Sequence, residues 1–497
     1  MKHSSILLLI MIYISNGNAQ NIEMFTYNYP FNWNYDCNSM VMGDSVYYIA
    51  GDVGRIIPGC EYILYGYHIT KINKSGLKDT TVIFDKCEQT TYIGWNNSMK
   101  IKDNNIYIWG HLMNYPYYSK LFLLKLDFNL DSVSNAYYMD DTVTKRAFNF
   151  VFDEIDNIIF AGSIDSSYNE MTGLPETTYS KSYLCKASQN GEIIWKKSYS
   201  FGDISDGCWS TFHNVIKTYD KGYIATGRTS DFGNSRNHIM KTDSLGNQIW
   251  VKFYGNLNYG NPAFSDIIET HDSCYIVCGA YTYGETGGGL YPYDGWLIKL
   301  DKDGNEKWNR KYRDHVLTGM SDWRDTIYSF YMGIYERENG DLIAISATHS
   351  DENGVYIADK FRLRCLDSEG NIQWDRVIDS VGGQTGILQA QSVKPTADGG
   401  IAVAGSAEIF YMDGTQWTSD QRIFLIKTDS LGNDVETTVR PVAAQPISKF
   451  ELVCYPNPAR GEFWVEVPGE DVLEVFATNG STVLSVNVAQ GLNRVDL

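Results

Sequence analysis

The sequence predicts an all-β chain whose main body is a seven-bladed β-propeller of four-stranded blades. Three observations predict it: two short modules alternate down the chain seven times, each pair of modules supplies four strands, and the composition leans towards sheet. The chain has 36 Tyr, 21 Phe, 12 Trp and 44 Gly against 12 Pro in 497 residues, a balance that suits pleated, half-buried strands joined by tight turns.

The first module is an apolar run ending in a small residue: VYYIAG (46–51), IYIWG (106–110), IIFAG (158–162), YIATG (223–227), YIVCG (275–279), LIAIS (342–346) and IAVAG (401–405). Turn pairs such as Asn104-Asn105, Asp156-Asn157, Lys221-Gly222, Asn339-Gly340 and Asp398-Gly399 precede most copies. Such pairs favour the short connections of antiparallel strands. The second module is a strand, a turn and a strand with an early aromatic. Clear copies are IMKTDSLGNQIWVKFY (239–254), LIKLDKDGNEKWNRKY (297–312) and RCLDSEGNIQWDRV (364–377). Its turns fall at 76, 130, 191, 246, 304, 370 and 432, so successive copies lie 54 to 66 residues apart. Self-similarity at that period marks a radial repeat, and four strands per unit describe a propeller blade with short, protected edges. Trp195, Trp250, Trp308 and Trp374 recur four residues past the turn and read as packing anchors between neighbouring units. The end copies carry Thr80, Ser134 and Glu436 there.

In a blade the first-to-second and third-to-fourth turns share one face of the disc. The second-to-third loops and the links between blades share the other. The second set is long and irregular, and includes 163–183, 280–295, 313–329 and 406–421. Long loops on a rigid scaffold are where binding concentrates. Trp209, Tyr259, Tyr283, Tyr293, Trp323, Tyr411 and Trp417 fall there, interleaved with carboxylates including Asp294 and Asp413. Flat rings beside acids suit sugars, whose apolar faces stack and whose hydroxyls donate; the bland alternative is Tyr-rich loops packing on one another.

The net charge of −19 repels phosphate backbones and anionic lipid, which sets nucleic acid and membrane surfaces aside as partners. Met1-Lys2-His3, the apolar run 6–14 and Gly17-Asn18-Ala19 form a signal peptide over residues 1–19, and no later stretch is apolar enough to span a bilayer. The nine cysteines are odd in number and include no CxxC pair, so they read as small buried hydrophobes, Cys274 and Cys278 among them. The stretch Asp301 to Glu306 has calcium-loop residue types, but its Gly304 comes fourth where such a loop needs glycine sixth, and a hairpin turn is the better reading. Neither a clustered histidine set, a GxSxG elbow nor a phosphate-cradling loop is present. No catalytic, metal or cofactor residue is therefore expected. The leading expectation is a non-enzymatic binding protein with a glycan or surface-protein ligand. The alternative is an exported polysaccharide lyase or glycoside hydrolase, since fold does not fix chemistry; a purely structural surface component is a third possibility.

After the propeller (20–439) comes a segment of linker composition (440–450), then residues 451–497. Tyr455-Pro456-Asn457-Pro458 with Gly461, the run LEVFATNGSTV (473–483) and the late GLNRVDL (491–497) closely resemble the C-terminal sorting domain of type IX secretion cargo in Bacteroidota. That resemblance covers about the last tenth of the chain. It implies a small β-sandwich, the type IX machinery as partner, and a secreted or outer-surface location reached through the periplasm. Family members run on into a Gly-Tyr-containing strand and a basic tail, so a type A-like, incomplete copy is expected here. The repeats themselves resemble those of other secreted proteins of that phylum and, distantly, quinoprotein-type propeller repeats.

Overall fold

The computed structural model describes most of residues 34–433, with gaps mainly between strands, and five strands between residues 454 and 496. The chain divides into two compact units, one of them Asn21–Pro441 and the other holding Val442–Leu497 with Met1–Gln20. The chain is all-β, with several four-stranded antiparallel units, numbered below as sheets; single parallel bridges, Ser180 with Trp209 and Asp359 with Ile387, join the third unit to the fourth and the sixth to the seventh.

In the larger unit the strands come in sequential groups. Sheet 1 joins Ser39–Met42, Val46–Ile56, Ile63–Asn73 and Lys78–Phe84; sheet 2 joins Met99–Lys102, Asn105–Asn114, Tyr118–Leu126 and Ser132–Tyr138. Sheet 3 joins Lys145–Phe152, Ile158–Asp165, Ser180–Ala187 and Ile193–Tyr199; sheet 4 joins Trp209–Lys217, Tyr223–Asp231, Asn234–Thr242 and Gln248–Tyr254. Sheet 5 joins Asp266–Glu269, Tyr275–Thr282, Tyr293–Leu300 and Glu306–Tyr312; sheet 6 joins Tyr328–Glu336, Leu342–Glu352, Val355–Leu366 and Ile372–Ile378. The described part of sheet 7 is Ile387–Pro395, Ile401–Asp413 and Gln416–Thr428.

The repeated Asp-x-x-Gly-Asn turn builds itself. In sheet 4 the Asp243 carboxylate accepts from the backbone N–H of Leu245 (2.9 Å) and Asn247 (2.7 Å) and from Asn247 Nδ2 (2.7 Å). Asp301, Asp367 and Asp429 are bonded in the same way. The Asp301 carboxylate thus serves its own turn, the hairpin geometry expected of that stretch. The turn glycine meets the tryptophan of the preceding sheet. A Cβ on Gly304 would lie 2.9 Å from Trp250, one on Gly370 3.3 Å from Trp308, and one on Gly432 2.6 Å from Trp374. Trp250 and Trp308 also donate their indole N–H to Lys302 O (3.2 Å) and Ser368 O (3.0 Å) in the same turns. Tryptophan and glycine therefore recur together because each pair is one contact between sheets.

Apolar clusters lie at each junction. Sheet 1 packs on sheet 2, and sheet 2 on sheet 3. The series continues through sheets 3 and 4, 4 and 5, 5 and 6, and 6 and 7. A further cluster unites Met40 and Ile49 of sheet 1 with Ala402, Ala404 and Leu425 of sheet 7. The cysteine reading fits the packing where it can be inspected: Cys278 is fully buried in the junction of sheets 5 and 6, and burial pushes its thiol well above the ordinary range.

In the second unit, Cys454–Tyr455, Glu462–Val467 and Gly491–Asp496 form one sheet, and Asp471–Phe476 pairs with Thr482–Val488 in another.

Candidate functional site

The first strand of each repeat carries one position that organises the interior. Ser39, Ser98, Asn149, Asn214, Asp266, Gly333 and Ser392 each stand four residues before the first residue of the following turn. Four of the polar side chains reach an adjoining sheet. Ser39 Oγ accepts from Met99 N (3.3 Å), Asn149 Nδ2 donates to Asn214 Oδ1, and Asn214 Nδ2 donates to Asp266 Oδ1 (2.9 Å). Asp266 Oδ2 accepts from Ile334 N (3.3 Å). All six polar members are buried; pairing across sheets removes much of the cost of burying Ser39, Asn149, Asn214 and Asp266, whereas the Ser98 and Ser392 hydroxyls have no hydrogen-bond partner among the described residues.

Immediately before this position the register shifts in sheets 3, 4, 6 and 7. A bulge of this kind leaves one residue unpaired and re-aims its side chain. In sheets 3 and 4 the displaced residues are Phe148 and His213, whose rings stack with centroids 5.2 Å apart at 25°.

Arg228 completes the constellation from the neighbouring strand, opposite Thr211. Its guanidinium lies 5.2 Å from the centre of the Trp209 ring and donates from Nη2 to Ser235 Oγ (2.8 Å). Its buried Nε has no hydrogen-bond partner among the described residues. Burial lowers the Arg228 pKa, an effect opposed by the Tyr293 phenol, whose charge interaction raises it. Burial first, and the Arg228 charge second, bring His213 down to about 4, so its imidazole is neutral at pH 7. A half-buried guanidinium can pair with a carboxylate through its exposed edge, and the neutral imidazole beside it can accept a proton.

The structure gathers two of the sequence-derived binding residues at this point, Trp209 and Tyr293. Arg228 and His213, which join them, lie within the strands Tyr223–Asp231 and Trp209–Lys217 and not in loops. Tyr259, Tyr283 and Trp323 lie outside the described residues, as do Pro456, Asn457, Pro458 and Gly461; Tyr455 lies in the strand Cys454–Tyr455. Two expectations about loops need correction. The segment 406–421 is a hairpin paired to its tip, with Tyr411 opposite Thr418 and Met412 opposite Trp417, so Tyr411 and Trp417 are strand residues. The ladder runs on to Asp413 opposite Gln416, so only two residues connect the strands. Tyr293 likewise begins a strand, opposite Thr282. Tyr281 behaves as the bland alternative foresaw: its ring meets Trp296 edge-on at 5.1 Å, beneath Lys311 Nζ at 3.4 Å. Among the described residues no group of three or more His, Cys, Asp or Glu is placed to hold a metal ion.

No family model matches the sequence, and no curated protein matches it. Solved structures with a similar course of chain include phage phi92 endosialidase, with a TM-score of 0.42 at 10% identity over 94% of this chain and 74% of that one. Polysaccharide lyase Uly1 gives 0.37 at 11% identity, covering 81% of this chain and 90% of that one. The GH93 α-L-arabinofuranosidase of Fusarium graminearum, with arabinobiose, gives 0.36 at 12% identity, covering 67% and 92%.

Proposed function

We propose that residues 20–439 close as a seven-bladed β-propeller that engages an acidic carbohydrate at Arg228. In this reading the chain is exported through the signal peptide and the type IX sorting domain to a secreted or outer-surface location. The cluster uniting sheet 1 with sheet 7 supports closure. The observation that carries the ligand is Arg228 itself, a half-buried guanidinium 5.2 Å from the centre of the Trp209 ring and held by Ser235 Oγ. An aromatic face suits a sugar ring, and the guanidinium suits its carboxylate.

Such engagement takes two forms. One is retention without chemistry. The other is cleavage by an exported polysaccharide lyase or glycoside hydrolase, the class to which the similar structures named above belong. His213, neutral at pH 7, is the proton acceptor that cleavage would use. A uronate held on Arg228 has an adjacent carbon whose proton His213 can accept while the β carbon–oxygen bond breaks. The products are an unsaturated uronyl end and a sugar hydroxyl, whose oxygen takes a proton from Tyr293 or water.

The full chain incubated with polygalacturonate, alginate and neutral pullulan tests this. Expected is ultraviolet absorbance from unsaturated ends with an acidic polymer, abolished by His213→Ala and Arg228→Ala at unchanged melting temperature. Retention on acidic polymers without turnover establishes the binding form. Preference for pullulan, or indifference to Arg228→Ala, overturns the reading.

A further inference from the structure

We infer that Ser235 is a positioning residue for the Arg228 site: its hydroxyl holds the guanidinium in the orientation that admits a sugar carboxylate, and so sets a preference for acidic over neutral sugar units. The inference rests on the reading of Arg228 as the cation that engages the ligand, and deepens it.

The indole half of the site is fixed by the main chain. Trp209 opens the first strand of sheet 4 and is paired on both sides, with Ser180 of sheet 3 through the parallel bridge and with Ser230 of the neighbouring strand. Thr229 Oγ1 also faces the main-chain oxygens of Trp209 (3.3 Å) and Phe201 (3.2 Å). The Trp209 ring is therefore attached to backbone held by two sheets. The guanidinium instead ends a long, rotatable stem, whose freedom is costly to freeze when a ligand arrives.

Ser235 removes that freedom in advance. It stands opposite Ser230, and Arg228 lies two residues before Ser230 in the same strand, so the Arg228 and Ser235 side chains leave one face of the sheet. Ser235 is 4% exposed, whereas Arg228 is half-buried. Arg228 Nη2 donates to Ser235 Oγ at 2.8 Å while the guanidinium carbon lies 5.2 Å from the centre of the Trp209 ring. A planar group held at one nitrogen and set against one ring keeps little rotational freedom, and its exposed edge is aimed before any ligand binds. Preorganisation of this kind raises affinity by lowering the cost of ordering, without a new contact to the ligand. A sugar unit that stacks on the ring but carries no oxyanion gains nothing from it. Ser235 thus acts on the carboxylate through Arg228 alone.

Calorimetric titration of the full chain with trigalacturonate and with its methyl ester, which keeps the rings and blocks the carboxylates, tests the assignment. The unmodified chain should bind the acid about tenfold or more tightly than the ester, the discrimination expected of a hydrogen bond to a charged group. Ser235→Ala should weaken acid binding about tenfold and leave ester binding unchanged, so that the preference collapses. Ser235→Thr, which returns a hydroxyl to the same place, should restore the preference, a rescue that a role in packing alone does not give. Thr226→Val removes another buried hydroxyl two residues from Arg228, one with no hydrogen-bond partner among the described residues, and should leave both affinities as they were. Equal weakening of acid and ester by Ser235→Ala, failure of Ser235→Thr to rescue, or the same collapse in Thr226→Val overturns the positioning role. Arg228→Ala, titrated alongside, separates this inference from the reading beneath it. Preference lost in Arg228→Ala but kept in Ser235→Ala rejects the positioning role alone, and preference kept in both rejects Arg228 as the ligand's cation.

Discussion

Gly304 and Gly340 share nearly the same backbone, with φ of +78° and +85°, but differ in what surrounds them. A Cβ on Gly340 would meet nothing within 4 Å, whereas one on Gly304 would lie 2.9 Å from Trp250 and 3.0 Å from Lys252 Cε. Alanine at either position carries the left-handed strain of an L-residue, about 1–2 kcal/mol. At Gly304 it must also displace the Trp250 ring from the turn where its N–H meets Lys302 O. Overpacking of this kind costs about 1–3 kcal/mol. Gly340→Ala should therefore cost about 1–2 kcal/mol and Gly304→Ala about 2–5 kcal/mol. In a Trp250→Ala background the steric part vanishes, and the added cost of Gly304→Ala should fall back to that of Gly340→Ala. Urea denaturation followed by far-ultraviolet circular dichroism measures all four variants. Equal costs for the two glycines, or a Gly304→Ala penalty that survives removal of Trp250, would refute the contact between turn glycine and preceding tryptophan.

Acid should destabilise the junction of sheets 3 and 4. His238 is fully buried beside Phe201 (4.3 Å between ring centres), and burial first, then the His213 charge, bring its pKa to about 3. Its folded pKa lies below the unfolded value near 6.5, so this stability is complete above about pH 6.5 and is lost as pH falls towards about 3; it approaches about 5 kcal/mol in full. Stability measured against pH should show that slope, flattened in His238→Phe; an unchanged slope contradicts the assignment. Lys241, with 2% of its side chain exposed, donates to Asp220 Oδ1 and Thr218 Oγ1, both at 2.5 Å. Removing Asp220 strands a buried charge, while Lys241→Met removes charge and keeps volume. Because the Asp220 side chain is 58% exposed, water softens the loss, and Asp220→Ala should exceed Lys241→Met by about 1–2 kcal/mol in chemical denaturation. The reverse order would show that the pair does not depend on its buried member.

The repeats were legible because turns and large aromatics tolerate few substitutes. Asp243, Gly246 and Trp250 recur in type wherever the same turn must close on the same neighbour. The interior column was not legible, because serine, asparagine, aspartate and glycine all satisfy it. Its signal is constant distance to the turn, not residue type. Arg228 escaped for a related reason. It directly follows the small residue of YIATG, inside a strand, where Ala280 and Ala347 occupy the matching positions of sheets 5 and 6. A charge placed there departs from the apolar pattern, and that departure is the cue. The aromatic count suggested a site but could not separate Trp209, which lies against a cation, from Tyr281, which packs on Trp296. Only tertiary neighbours distinguish them.

Closure of sheet 7 onto sheet 1 carries the propeller reading, and Ala404→Glu probes it. Ala404 is fully buried in the cluster that holds Met40 and Ile49. Amide hydrogen exchange of this variant should show lost protection in sheet 7 and equally in Ser39–Met42 and Val46–Ile56, with sheet 4 unaffected. Undiminished protection in sheet 1 would contradict the ring.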